Sequence, residues 1–307
     1  VLAVLEAFAV IAVIIAVGAI VGRRNVLGDN ARMVLNRVAF HVGVPALLLL
    51  SLADSTPSQV FSLPLLVSAL TTMIMFGIYF AIAVTWRRSD RADATIGAWA
   101  ASWVNSGNLG IPLSAYVLGS TTEVSALIVF QTVFLVPFGV AIINSAGRDA
   151  GSVKSQIKDL VTNPIIVASA VGTVLALTGI TLPRAIHRPL ELLADLAIPT
   201  VLLAFGIALV TQTGGKGKER RVDLWLAIVF KVLLMPALAY VLARWAFGLS
   251  PEQTAIATVL AALPAAQNLN TYASVFQRGE KLARDATLIT TIASVPVIAC
   301  IAYLLGL

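Results

Sequence analysis

The chain has 307 residues, 59% of them hydrophobic and 12% charged, with a formal charge of +6. Soluble domains carry about 25% charged residues, and half that proportion cannot clothe a water-facing surface of this size, so a soluble enzyme and a disordered chain are both excluded. The mean hydropathy of +0.93 and pI near 9.8 instead suit a polytopic membrane protein whose basic residues gather in short loops, with no role for nucleic acid.

Ten apolar stretches, each near the roughly 20 residues that cross a bilayer, lie at 2–21, 35–53, 62–86, 94–118, 123–146, 162–180, 189–211, 223–247, 253–276 and 285–306. No basic residue precedes the first, and Arg23 and Arg24 follow it. It therefore reads as a retained anchor with its N-terminus outside rather than a cleaved leader. In the second, His41 lies one turn before Pro45; it is a proton carrier or an interfacial residue beside Arg37.

The fourth stretch gathers Asn105, Ser106, Gly107, Asn108, Gly110 and Pro112 in the middle of an apolar segment. Proline removes a helical hydrogen bond and glycine loosens the backbone. The freed peptide groups must then line protein or a watery cavity rather than lipid. Gln131 in the fifth is a supporting amide or, more simply, glue between helices. In the seventh, Asp195 precedes Pro199 by one turn and is a proton site or a partner for a neighbouring helix end. Lys231 lies about two turns into the eighth; it either holds an anionic substrate or snorkels to interfacial water. The ninth repeats the theme of the fourth, with Pro264, Gln267, Asn268 and Asn270. Cys300, the single cysteine, sits in the tenth and allows no intramolecular disulfide.

Charge tests the count. The loops after odd-numbered stretches carry 17 of the 21 Lys and Arg residues, the rest being Arg184, Arg188, Arg244 and Lys231. One missed or invented span would move every later loop to the other side and erase this bias. Basic loops stay in the cytoplasm, so both termini are expected outside, in a cytoplasmic (inner) membrane.

The halves also repeat in order. His41 to Pro45 matches Asp195 to Pro199, Asp93-Ala94-Thr95 matches Glu252-Gln253-Thr254, Asn108-Leu109 matches Asn268-Leu269, and Val136-Pro137 matches Val295-Pro296. Five spans is an odd number, so the second unit, 151–307, inserts upside down relative to the first, 1–150. Inverted repeats with two interrupted helices in corresponding positions mark secondary transporters, with the site between the halves. Half-helix N-termini offer N–H groups and a positive dipole end to a carboxylate.

The run from Asn105 to Pro112 resembles the fourth-helix motif of the auxin efflux carrier family. Leu35-Asn36-Arg37-Val38 with Val44-Pro45 resembles that family's second helix, and Asn163-Pro164-Ile165-Ile166 and Leu193 to Leu209 are similar to its sixth and seventh. The likeness covers nearly the whole chain, in the compact bacterial form without a long central loop. It implies an all-α protein of ten transmembrane helices, with a fold related to the bile-acid sodium symporters. Spans 1, 2, 6 and 7 would form a scaffold and a dimer surface. Spans 3–5 and 8–10 would form a transport unit that slides past it, elevator fashion. The resemblance places Asn105 against a substrate carboxylate and Pro112 at the helix crossing. In the ninth span only Pro264 matches clearly, since Asn268-Leu269 stands where plant relatives have a second proline.

The expected function is a secondary carrier of small organic anions by alternating access. Its binding residues would be Asn105, Asn108, Pro112, Pro264, Gln267, Asn268, Asn270 and Lys231, with Asp195 and His41 as coupling candidates and neither cofactor nor metal. A sodium-coupled symporter is the alternative, although the ninth span offers no acid, and proton coupling or facilitated flow stays open. A channel would need a continuous polar stripe. An intramembrane enzyme would need more than His41 and His187, with no His-Glu-x-x-His helix and no Gly-x-Ser-x-Gly elbow. No Walker-type loop is present for an ATP-driven pump.

Overall fold

The computed structural model describes residues 2–56, 62–145, 162–211 and 221–306, with side chains from residue 9 onward. The basic residues Arg148, Lys154, Lys158, Lys216, Lys218 and Arg220 lie outside these segments. The described chain is helical: α1 Leu2–Arg23, α2 Ala31–Ala53, α3 Leu63–Thr85, α4 Arg91–Ser102, α5 at 106–118, α6 Thr122–Ser145, α7 Pro164–Thr178, α8 Arg184–Thr211, α9 Arg221–Ala246, α10 Pro251–Ala262, α11 Asn268–Phe276 and α12 Glu280–Leu305. Six of them, α2, α3, α6, α8, α9 and α12, are long and apolar enough to cross a membrane. The protein is a multi-pass membrane protein by that measure. Its lipid-facing character shows in the row Val167, Val171, Val174 and Leu177 along α7, all exposed. Exposed Trp86 and Trp225 stand at one end of the bundle and Trp245 and Tyr303 at the other, where amphipathic rings suit the two interfaces.

Local chemistry sets the helix ends. Ser62, Asp90, Asn163 and Ser250 accept backbone N–H bonds at the starts of α3, α4, α7 and α10. Pro64, Pro164 and Pro251 follow where a missing N–H costs nothing. Gly179 and Gly306 close α7 and α12 in the left-handed region that favours glycine.

Prolines inside the apolar runs leave a regular signature. Before Pro45, Pro112, Pro137 and Pro236, the preceding residue reaches back five positions, Val44 to Ala39, Ile111 to Ser106, Val136 to Gln131 and Met235 to Phe230. The proline ring crowds the carbonyl four residues back, and widening the turn by one residue relieves it while keeping the peptide groups paired.

Two sets of helices pack closely. In the first, α1, α2, α7 and α8 meet at small residues: a Cβ on Gly206 would stand 2.1 Å from the Ile15 carbonyl, one on Gly172 2.6 Å from that of Leu49, and one on Gly43 2.9 Å from Ala197 Cα. In the second, Tyr79 of α3 is buried over Gly97 of α4 and donates its hydroxyl to the Asp223 carbonyl of α9 at 3.0 Å. Arg87 pairs with Asp223 at 2.7 Å. Trp99 of α4 lies against Gly139 of α6, where a Cβ would come within 2.3 Å.

Candidate binding site at two interrupted helices

Neither α4 nor α10 can cross a membrane alone. Each has 12 residues, about 18 Å of helix against about 30 Å of hydrocarbon. Each is followed by an extended break and a second helical piece, α5 and α11. The breaks cross. Asn105 N–H donates to the Pro264 carbonyl at 2.8 Å, Ala266 N–H donates to the Trp103 carbonyl at 3.0 Å, and Val104 and Ala265 form an antiparallel bridge. The two interruptions thus satisfy each other's freed peptide groups, which proline and the loss of helix had left unpaired.

The sequence dictates this crossing. Pro264 has no N–H to continue α10, and Ala265 N–H turns to Thr290 Oγ1 of α12 at 3.0 Å. Gly110 keeps the start of α5 close to the crossing, because a Cβ there would lie 2.9 Å from Val124 Cγ2 and 3.0 Å from Leu263 Cδ1. Asn105 caps the new helix, its Oδ1 accepting from Asn108 N–H at 3.2 Å. Gln267 precedes α11 without a side-chain cap; the first amides of that helix turn back on the break instead, Leu269 N–H to the Ala266 carbonyl at 3.2 Å and Asn270 N–H to the Gln267 carbonyl at 3.0 Å.

That space is a cavity of about 1050 Å³, bounded at its inner end by Trp103 to Asn108 and Ala266 to Asn268, and towards its outer end by Arg32, Arg37 and His41. Trp103 and Tyr272 form one aromatic wall, with ring centroids 5.7 Å apart and Trp99 behind both at 5.6 and 5.4 Å. Asn108 Nδ2 donates to Gln267 Oε1 at 2.7 Å, tying the two interrupted helices by their side chains.

Two amides in the wall are buried. Asn105 is 4% exposed and Gln131 3%. Asn105 Oδ1 is engaged by Asn108 N–H, and Gln131 Oε1 accepts from Ser106 Oγ at 2.5 Å. In both cases the nitrogen, Asn105 Nδ2 and Gln131 Nε2, is buried with no hydrogen-bond partner. A buried donor left unpaired costs about 1–3 kcal/mol. Both residues line the cavity, and each free N–H suits an acceptor such as a carboxylate oxygen.

Of the residues singled out from the sequence, Asn105, Asn108, Gln267 and Asn268 line this cavity, and His41 stands at its basic end with Nδ1 3.0 Å from the Arg37 carbonyl. Pro264 is buried at the crossing, and Pro112 is buried seven residues beyond it within α5; neither lines the space. Asn270 points to α12, its Nδ2 reaching Thr287 Oγ1 at 3.3 Å. Asp195 is exposed at a bend of α8, outside the lining. Lys231 is fully buried between α9 and α10 and neither lines the cavity nor reaches interfacial water. Its place in the wide turn before Pro236 turns the ammonium inward, onto the Ala261 carbonyl. Gln131, Trp103, Tyr272 and Arg32 are additions to the expected set. A lone amide in the apolar run of α6 was the visible sign of Gln131; no pattern in the sequence pairs Trp103 with Tyr272.

Residues 3–302 match the sequence profile of a family described as "Membrane transport protein", the auxin efflux carrier family. A "Putative malonate transporter" of Rhizobium meliloti strain 1021 is 26% identical over 88% of this chain and 86% of its own length. "Uncharacterized transporter YfdV" of Escherichia coli K12 is 23% identical over 83% of each chain. An "Uncharacterized transporter" of Methanothermobacter thermautotrophicus is 29% identical over 64% of this chain and 65% of its own. The chain belongs to this family of membrane transport proteins.

Proposed function

We propose that this membrane transport protein is a secondary carrier of small organic anions, not an enzyme, holding a carboxylate at the crossing of its interrupted helices. The observation that carries this reading is the pair of unpartnered amide nitrogens, Asn105 Nδ2 and Gln131 Nε2, in the wall of the cavity. A carboxylate supplies the two acceptors these donors lack, without the cost of burying a fixed countercharge at the site. Arg32 and Arg37 at the basic end of the cavity attract an anion from solution, and the Trp103 and Tyr272 rings give a substrate's carbon skeleton an apolar surface.

The whole chain fits a mechanism of alternating access. Helices α4 and α10 have equal length and begin 160 residues apart, as two inverted five-span units would require. In this reading the interrupted pairs each make one span, giving ten. The set α1, α2, α7 and α8 is the scaffold, and through it two copies pair. The set built on α3, α4, α6, α9, α10 and α12 moves past it as an elevator. The cavity then opens to the cytoplasm on the basic side, with both termini across the inner membrane. The substrate class agrees with the name of the Rhizobium relative, and malonate is the first compound to test.

The test is a thermal-shift series on the purified protein with acetate, malonate and succinate, followed by uptake into liposomes under proton, sodium and no gradient. Binding raises the midpoint saturably, by an amount set by ligand concentration over Kd. No shift with any carboxylate and no uptake under any gradient would remove the carrier reading.

A further inference from the structure

Among the described residues, the most deeply buried ionisable side chain is Lys231, at 0% exposure. Its Nζ donates to the Ala261 carbonyl at 3.2 Å and lies 2.9 Å from Met235 Sδ, one helical turn on. Among the described residues no carboxylate pairs with it. A buried amino group without a counterion still needs hydrogen-bond acceptors for its N–H groups.

One acceptor comes from the interrupted helix. Ala261 is in the last turn of α10, which ends at Ala262. The N–H that would close the turn on its carbonyl belongs to Ala265, and that N–H is given to Thr290 Oγ1. The Ala262 carbonyl loses its donor in the same way, because Ala266 N–H is given to Trp103. The C-terminal end of α10 is therefore a cluster of freed carbonyls carrying the negative end of a helix dipole, inside the protein. In transporters built on discontinuous helices, such ends are where a coupling cation binds. Here an amino group attached to the chain is already bonded to one of those carbonyls.

We infer that the Lys231 amino group is a resident donor for the broken end of α10, holding the place of a diffusible cation and making the carrier independent of sodium. It is a positioning residue: it touches no part of the cavity, and acts by fixing the carbonyls of α10 and hence the crossing at Pro264 and Ala265. The role in transport rests on the carrier reading above, whereas the ion-binding part does not.

The experiment is a sodium titration of the thermal midpoint of the purified full chain, against choline chloride at equal ionic strength, for the wild type and for Lys231→Gln, which is shorter and loses the amine. The wild type gives the same midpoint in both salts. Lys231→Gln is less stable in choline and recovers saturably in sodium, by about 2–4 °C. A saturable sodium response in the wild type, or a Lys231→Gln variant indifferent to sodium, would overturn the inference. Should Lys231→Gln not fold, the wild-type titration can still overturn the inference, since a saturable sodium response there refutes the role. In liposomes with malonate, Lys231→Gln in choline loses uptake about tenfold or more while its malonate affinity stays within about threefold of wild type. Loss of affinity would make Lys231 a substrate contact instead. Failure of the carrier reading shows separately, as a wild type that binds no carboxylate but still ignores sodium.

Discussion

Asn105 does two jobs with two ends of one amide, and they are separable. Its oxygen caps α5 through Asn108 N–H, while its nitrogen is buried and unpartnered. Asn105→Asp keeps the capping oxygen, removes the donor and places a negative charge where an anion is to bind. We expect affinity for a carboxylate to fall at least about 10- to 100-fold by thermal shift, the worth of a charge-assisted hydrogen bond. Asn105→Ala loses the cap as well, with a further stability cost of about 1 kcal/mol. Gln131→Met tests the second donor. It removes the free buried N–H but also the oxygen that accepts from Ser106 Oγ, so stability falls by about 1–3 kcal/mol while binding, compared at equal folded fraction, weakens about tenfold. Near wild-type affinity in both Asn105→Asp and Gln131→Met would take the pair out of the site.

At the scale of the element, close approach decides which glycines matter. Gly206 on α8 faces the backbone of α1, and its Cβ would stand 2.1 Å from the Ile15 carbonyl. Backbone cannot swing aside as a side chain does, so Gly206→Ala forces the two helices apart and costs about 1–3 kcal/mol. Gly77 in α3 has nothing within 4 Å of the same added atom. Gly77→Ala should therefore stabilise, by about 0.5–1 kcal/mol, because alanine loses less backbone freedom in a helix. Midpoints measured side by side check both signs. Gly139 is an intermediate case: its clash is with the Trp99 ring, which stacks behind Trp103 and Tyr272. Gly139→Ala thus disturbs the aromatic wall of the cavity from a position outside it, and the intrinsic tryptophan fluorescence reports the change.

At the scale of the whole molecule, an elevator needs bonds between its two parts that one state makes and the other breaks. The described structure offers such a set at the end of α2, where Ser51 Oγ meets Thr121 Oγ1 at 2.8 Å and Ser55 Oγ meets Thr122 Oγ1 at 2.8 Å at the start of α6. Hydroxyl pairs inside a membrane protein are worth about 0.6–2 kcal/mol each, enough to bias two nearly balanced states. Replacing Ser51 and Ser55 by alanine should depopulate the arrangement in which the cavity opens at Arg32 and Arg37. With Cys300 changed to serine and Gln267 to cysteine as a reporter, labelling by an impermeant thiol reagent from the basic side should slow several-fold. Unchanged labelling would mean that these hydroxyls hold no state.

The sequence by itself determined the membrane class, the apolar helices and the location of the breaks, because these depend on local facts: scarce charge, stretches of bilayer length, and proline and glycine set among amides. It also placed Asn105, Asn108, Gln267 and Asn268 at one site, since two interruptions in register imply a shared cavity. Only the tertiary structure decided which end of each amide is free, because that follows from partners distant in the chain, Ser106 for Gln131 and Gln267 for Asn108. The direction of Lys231 was likewise beyond local reading. A charge in an apolar helix can turn to substrate, to water or to a neighbour, and the neighbour prevailed because Pro264 and Thr290 together left the Ala261 carbonyl without its helical donor.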